Sequence, residues 1–225
     1  MMKCVCVCLL LASVPLLSSS GLVPGSSLWD VVWGFSELQA DEILQSSSFF
    51  QELRDGNLTQ RCYTHFLQQE ALYLTGASSS LEALIGRLQE ADETRSLLQE
   101  TLKHYSSRNQ SLHGPSPPQW PRLSPPPLVL DDPVYYLLAL SARVQLRVLM
   151  AGEMMGVGVK ESRVRQQWRE DTQEEVAWIL RLRKLMEGRQ EHMDAFKAIN
   201  IFREHMMNQK SFYKALACDE EEKKR

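Results

Sequence analysis

The chain has 225 residues, with 25 basic and 28 acidic side chains and a formal charge of −3. That near balance, without a basic stripe, excludes the electrostatic footprint of a nucleic-acid or anionic-membrane binder. No C-x-x-C, Walker loop, G-x-S-x-G or H-E-x-x-H occurs, so neither a metal nor a cofactor is expected.

The chain opens MMKCVCVCLLLASVPLLSSSG: one lysine, an apolar run from Cys4 to Leu17, and small residues at Ser18 and Ser20. This pattern predicts a secretory signal peptide over 1–20, with flanks that fit cleavage better than an uncleaved anchor. No later stretch reads as long and apolar enough to span a membrane, so the expected product is secreted and extracellular. Cys4, Cys6 and Cys8 leave with the signal. Cys62 and Cys218 stay, and in an oxidising compartment such a pair is expected to bond.

The remainder, 21–218, is expected to form one domain, with a solvated charged tail at 219–225. A first helix starts at Ser26 or Ser27, with Leu28, Val31, Val32, Phe35 and Leu38 at helical spacing. A second covers Phe49 to Arg54 and stops at D-G-N, where Gly56 suits a helix end. A third spans about Thr59 to Gly76, with Tyr63, Phe66, Leu67, Glu70 and Leu74 on one face. A fourth begins at Leu81, after A-S-S-S, and runs to about His104 or Ser106. Residues 113–133 hold eight prolines, which predicts an extended crossover between two helical halves. Helical periodicity resumes at Asp132 and Pro133 and runs through Tyr136, Leu137, Leu140, Val144 and Val148 to about Met155. Helices at about Glu161 to Glu187 and Gln190 to Ala217 follow, with apolar sets Val176, Ile179, Leu180, Leu182 and Met193, Phe196, Ile199, Ile201, Phe202. No stretch alternates with period two, so the expected fold class is all-α.

Two sequons, Asn57-Leu-Thr59 and Asn109-Gln-Ser111, lie near predicted helix ends and are glycosylation candidates in a secreted chain. Glu70 stands on an otherwise apolar helix face, and a buried acid needs a partner or a ligand. His192 and His205 lack an acid four residues earlier, so a dinuclear carboxylate–histidine centre is not expected.

The order F-x-x-x-L-x-D-G-x-L, followed by a helix ending F-L-Q-Q-E-A-L-Y-L, resembles the TenA/thiaminase II family, which has a heme-oxygenase-like multi-helical fold. In that family a Q-D dipeptide carries a substrate-contacting acid, with a tyrosine three residues on. The resemblance places Glu70 and Tyr73 at those positions, on one helical face. D-P-V-Y-Y-L resembles the helix after the family's central loop and adds Tyr136 as a ligand-binding candidate. Trp168 resembles a family tryptophan, and S-F-Y-K-A-L resembles the closing aromatic pair. The resemblance also implies a nucleophilic cysteine in the second half and a glutamate just before the closing pair. No cysteine lies between Cys62 and Cys218, and the glutamate's place holds Gln209, which exchanges no proton near neutral pH. Glu153 is the one carboxylate offered as a substitute for the nucleophile.

Two functions are therefore expected to compete. One is a secreted TenA-like protein that binds a small heterocyclic ligand in a central pocket without thiaminase hydrolysis, as a monomer or a homo-oligomer. The other is a secreted four-helix cytokine-like signal, with specificity on exposed helix faces and a dry core.

Overall fold

The computed structural model describes residues 26–89, 92–111, 132–154, 162–216 and 218. The segment expected to be a signal peptide, nearly all of the expected proline-rich crossover and the expected charged tail lie outside the described residues.

Among the described residues the secondary structure is helical, without a strand. Helices α1 (Leu28–Gly34), α2 (Glu37–Ser46), α3 (Ser48–Asp55), α4 (Gln60–Arg87) and α5 (Glu93–Ser111) precede the crossover. Helices α6 (Pro133–Glu153), α7 (Arg163–Glu187) and α8 (Ala195–Lys214) follow it. A 3-10 turn at Gln190–His192 joins the last two. Most starts are capped by short polar side chains. Ser27, Ser47, Thr59, Asp132, Ser162 and Asp194 each accept a hydrogen bond from a backbone N–H of the first turn.

Several boundaries depart from the pattern-based expectation. The first predicted stripe breaks at Gly34, and Phe35 and Leu38 face solvent at 60% and 83% exposure. The predicted third and fourth helices are divided elsewhere: α4 runs unbroken through G-A-S-S-S, and the chain leaves it at Leu88. Ser79 and Ser80 donate their hydroxyls to the carbonyls of Thr75 and Gly76, so the serines are satisfied inside the helix and do not end it. The last predicted helix starts later than its pattern, because Asp194 caps it. Val176, Leu180 and Phe196, assigned to apolar faces, are exposed, while Ile179, Leu182, Ile199 and Phe202 are buried.

α6 is the core helix, packed between α7 and α8, while α4 packs chiefly on α5. Contrary to expectation, α6 is long and apolar enough to cross a membrane, with a mean hydropathy of 1.3. Its apolar surface is spent inside the fold: 78% of that stretch is buried. Cys62, at the start of α4, is disulfide-bonded to Cys218 beyond α8, with Cα atoms 5.6 Å apart.

The D-G-N-L loop has a structural cause. Gly56 ends α3 at φ 72°, a left-handed conformation that favours glycine. The turn lets Leu53 and Leu58 both enter the core. Phe49 stacks on Phe66 of α4 at 4.8 Å and meets Trp168 of α7 at 5.7 Å and Tyr213 of α8 at 5.9 Å. Phe212 meets Phe66 edge-on at 6.0 Å. The scattered aromatic positions that resemble the TenA family thus converge in one cluster of rings.

Candidate functional site

Glu70 is 1% exposed, and its carboxylate faces guanidinium groups from two neighbouring helices. One oxygen accepts from both Arg143 and Arg147 of α6, and the other from Arg108 of α5 at 3.2 Å. Acids from α7 complete the cluster. Glu175 lies 2.9 Å from both Arg143 Nη1 and Arg147 Nε, and Asp171 lies 2.9 Å from Arg108 Nη2. Three cations thus meet three anions, and the cluster is neutral as a whole.

Burial works to raise the Glu70 carboxyl pKa, but Arg147, Arg143 and Arg108 together outweigh it and hold the acid well below the ordinary carboxylate range. Aromatic faces cover the cluster. Tyr73 and Tyr105 lie 5.4 and 6.0 Å from the Arg143 guanidinium, and Trp168 lies 4.5 Å from that of Arg147. Gln69, the other half of the Q-E dipeptide, contacts His65 Nε2 at 3.3 Å and takes no part.

A narrow cleft lies between α4, α6 and α8, lined by Tyr73, Ala77, Tyr136, Leu140, His205, Asn208 and Gln209. Its water-accessible interior is only about 20 Å³, about the space one water needs. Two of the three predicted ligand-binding residues, Tyr73 and Tyr136, meet here together with Gln209, whereas Glu70 is outside the lining. The Tyr136 hydroxyl donates to the Ala77 carbonyl at 3.2 Å. The Tyr73 hydroxyl and His205 Nε2 are buried without a hydrogen-bond partner. Burial pushes the Tyr73 hydroxyl up to about 12, against the pull of Arg143, so it is a donor at any physiological pH. Glu153 ends α6, is exposed, and lines no described cleft.

The arginine pair and His205 escaped sequence reasoning. The signal for the pair was present: Arg143 and Arg147 sit four residues apart in a helix that is otherwise almost wholly apolar. Like charges at that spacing repel, so they call for buried acids on a facing helix. Nothing in the spacing around His205 marks it, because its significance lies in the cleft it faces.

His205 carries a pH prediction. Burial lowers its imidazole from the ordinary value of 6.5 to about 4, so the folded protein keeps it neutral. The unfolded chain takes up a proton below pH 6.5, so stability is greatest above that value and falls as the pH drops towards 4. The expected loss is about 3 kcal/mol by pH 4. Unfolding free energies of the parent and of His205→Leu measure it, since the variant should lose the His205 share of the slope between pH 6.5 and 4.5. His104, also held below its ordinary pKa by burial, keeps its own share in both proteins. Below pH 4.5 the paired carboxylates add a slope of their own in both proteins.

The two sequons differ in setting. Asn57 is exposed, directly after the left-handed Gly56. Asn109 lies within α5, and its Nδ2 donates to Thr75 Oγ1 at 3.0 Å, which occupies the atom a glycan would use.

No family model matches the chain, and no curated protein sequence matches it. Solved structures do. A TenA homologue from Pyrococcus furiosus superposes with a TM-score of 0.70 at 13% identity, covering 84% of this chain and 99% of that one. The fold is TenA-like. A TenA homologue from P. horikoshii gives a TM-score of 0.66 at 14% identity, covering 85% of this chain and 98% of that one. A TenA family transcription regulator from a Silicibacter species gives 0.66 at 12% identity, covering 86% and 97%. The architecture is therefore the heme-oxygenase-like all-α fold, and a four-helix cytokine bundle is not favoured. Identities this low establish shape; activity rests on the site itself.

Proposed function

We propose that the protein is a secreted, TenA-like ligand-binding protein that takes a small heterocycle into the α4/α6/α8 cleft and performs no thiaminase hydrolysis. The supporting observation is the pair of unsatisfied polar atoms at that cleft, Tyr73 Oη and His205 Nε2. A buried polar group without a partner costs about 1 to 3 kcal/mol, so a ligand atom that bonds to both gains that much in addition to its apolar contacts. The Tyr73 hydroxyl donates to a ring nitrogen or carbonyl. Neutral His205 either donates or accepts at Nε2, according to its tautomer. Tyr136 and Leu140 offer apolar surface. The cleft is too narrow for a ring as it stands, so binding requires Tyr73 and Tyr136 to part.

Catalysis has little support from the residues present. Glu70 is tied to three cations, Gln209 exchanges no proton, and no cysteine stands where a nucleophile is needed. Secretion and an Asn57 glycan complete the reading: an extracellular binder with a largely buried charge cluster.

Purified protein mixed with thiamin or an aminopyrimidine is expected to give no hydrolysis product by chromatography. Calorimetric titration with the aminopyrimidine is expected to show binding that weakens about tenfold in Tyr73→Phe or His205→Leu, the loss of one buried hydrogen bond. Turnover by the parent protein, or unchanged affinity in both variants, contradicts the proposal.

A further inference from the structure

A second and larger cleft lies beside the charge cluster, lined by α5 and α7 and by Val144 of α6. Its interior is about 230 Å³, more than ten times the room of the first, about 20 Å³. That volume falls short of the ~300 Å³ at which pockets for drug-sized ligands begin, so its occupant has one ring at most.

The lining chemistry is lopsided. Tyr105 and Trp178 supply aromatic surface, and Trp178 is fixed by its indole N–H donating to Thr101 Oγ1 at 2.7 Å. Of the three glutamates, Glu100 is paired with Arg181. Glu174 meets His104 Nδ1 at 3.4 Å. Burial holds that imidazole below its ordinary pKa, against the pull of Glu175, so at neutral pH it gives Glu174 no full counter-charge. Glu175, 2% exposed, lines the cleft from the cluster side. Its Oε2 lies 2.9 Å from Arg147 Nε yet accepts no aligned hydrogen bond. The Glu175 carboxylate is shared with Arg143 and Arg147, and the acceptor capacity they leave on Oε2, beside the solvent-facing Glu174 and two aromatic rings, fits a cationic hydrogen-bond donor.

We propose that this cleft binds a small protonated amine bearing a single ring, its N–H groups on Glu175 and Glu174 and its ring against Tyr105 and Trp178. The site is separate from the α4/α6/α8 cleft and differs in chemistry: an ammonium in place of a neutral heterocycle.

Benzylammonium chloride is the probe, benzyl alcohol its neutral counterpart, and calorimetry or ligand-observed NMR the readout. Benzylammonium is expected to bind at least about tenfold more tightly than the alcohol, and to weaken as salt rises. Glu174→Gln, at an exposed position, and Trp178→Leu, at a half-buried one, are each expected to weaken it about fivefold or more, with helical circular dichroism unchanged. No binding, equal affinity for amine and alcohol, or unchanged affinity in both variants overturns the proposal. Loss of aminopyrimidine binding in His205→Leu, with benzylammonium binding retained, separates this site from the one above.

Discussion

Replacing Glu70 with alanine is expected to destabilise the fold by about 3 to 5 kcal/mol, the cost of stranding buried charge. The substitution leaves Arg143 and Arg147, which are 5% and 1% exposed, facing each other across the space the carboxylate filled. Glu175 still neutralises part of that charge, so the upper end of the range applies only if the arginines cannot reorient. Adding Arg147→Met to Glu70→Ala should cost less than the two single changes summed, because the second change removes a cation whose anion has already gone. Urea unfolding of the four proteins in the cycle measures this. A loss below about 1 kcal/mol for Glu70→Ala, the range of an exposed ion pair, contradicts the buried-cluster account. The same calculation governs how binding data on this residue are read: weaker ligand binding in Glu70→Ala would follow from a loosened core.

Removing the disulfide is expected to have an effect of similar size. Cys62 and Cys218 are separated by 156 residues, so their bond ties the start of α4 to the end of the helical domain. On the chain-entropy view, a loop of that length contributes about 4 to 5 kcal/mol by restricting the unfolded chain. Cys62→Ser with Cys218→Ser is expected to lower the unfolding free energy by that amount, read as a lower denaturant midpoint. A reducing agent should bring the parent down to the variant and leave the variant unmoved. A parent midpoint indifferent to the reductant shows that the bond carries no such share.

The sequence made the local features legible. Phe49 and Leu53 lie in α3, Gly56 ends it and Leu58 follows the turn, so the backbone geometry that demands glycine is settled within a few residues. Asp132 and Pro133 likewise announce the start of α6 through a cap and a fixed φ. Failure began where a local signal had a non-local answer. Gly76-Ala77 followed by three serines reads as a break, yet a Cβ at Gly76 meets nothing within 4 Å and the helix simply continues. Phe35 and Leu38 read as one apolar stripe, although the chain turns between them at Ser36.

Glu70 shows the same division. Its place on an apolar face marks it as an acid in need of a partner, and the structure supplies partners from two other helices. Which partner it finds depends on how α4, α5, α6 and α7 pack, and no spacing within α4 records that. Resemblance to a family put Glu70 in a ligand pocket. In the structure Tyr73 and Tyr136 line the narrow cleft, and Glu70 stands behind it with the arginines. His205 belongs to the opposite case, a functional candidate with no local signature.

A crystal structure of the protein with an aminopyrimidine bound tests the central claim most directly. The account predicts the ring between Tyr73 and Tyr136, one of its polar atoms within hydrogen-bonding distance of His205 Nε2, and Glu70 still paired with Arg143 and Arg147. A ring held by Glu70 with the arginines displaced, or a cleft that stays closed at saturating ligand, would contradict it.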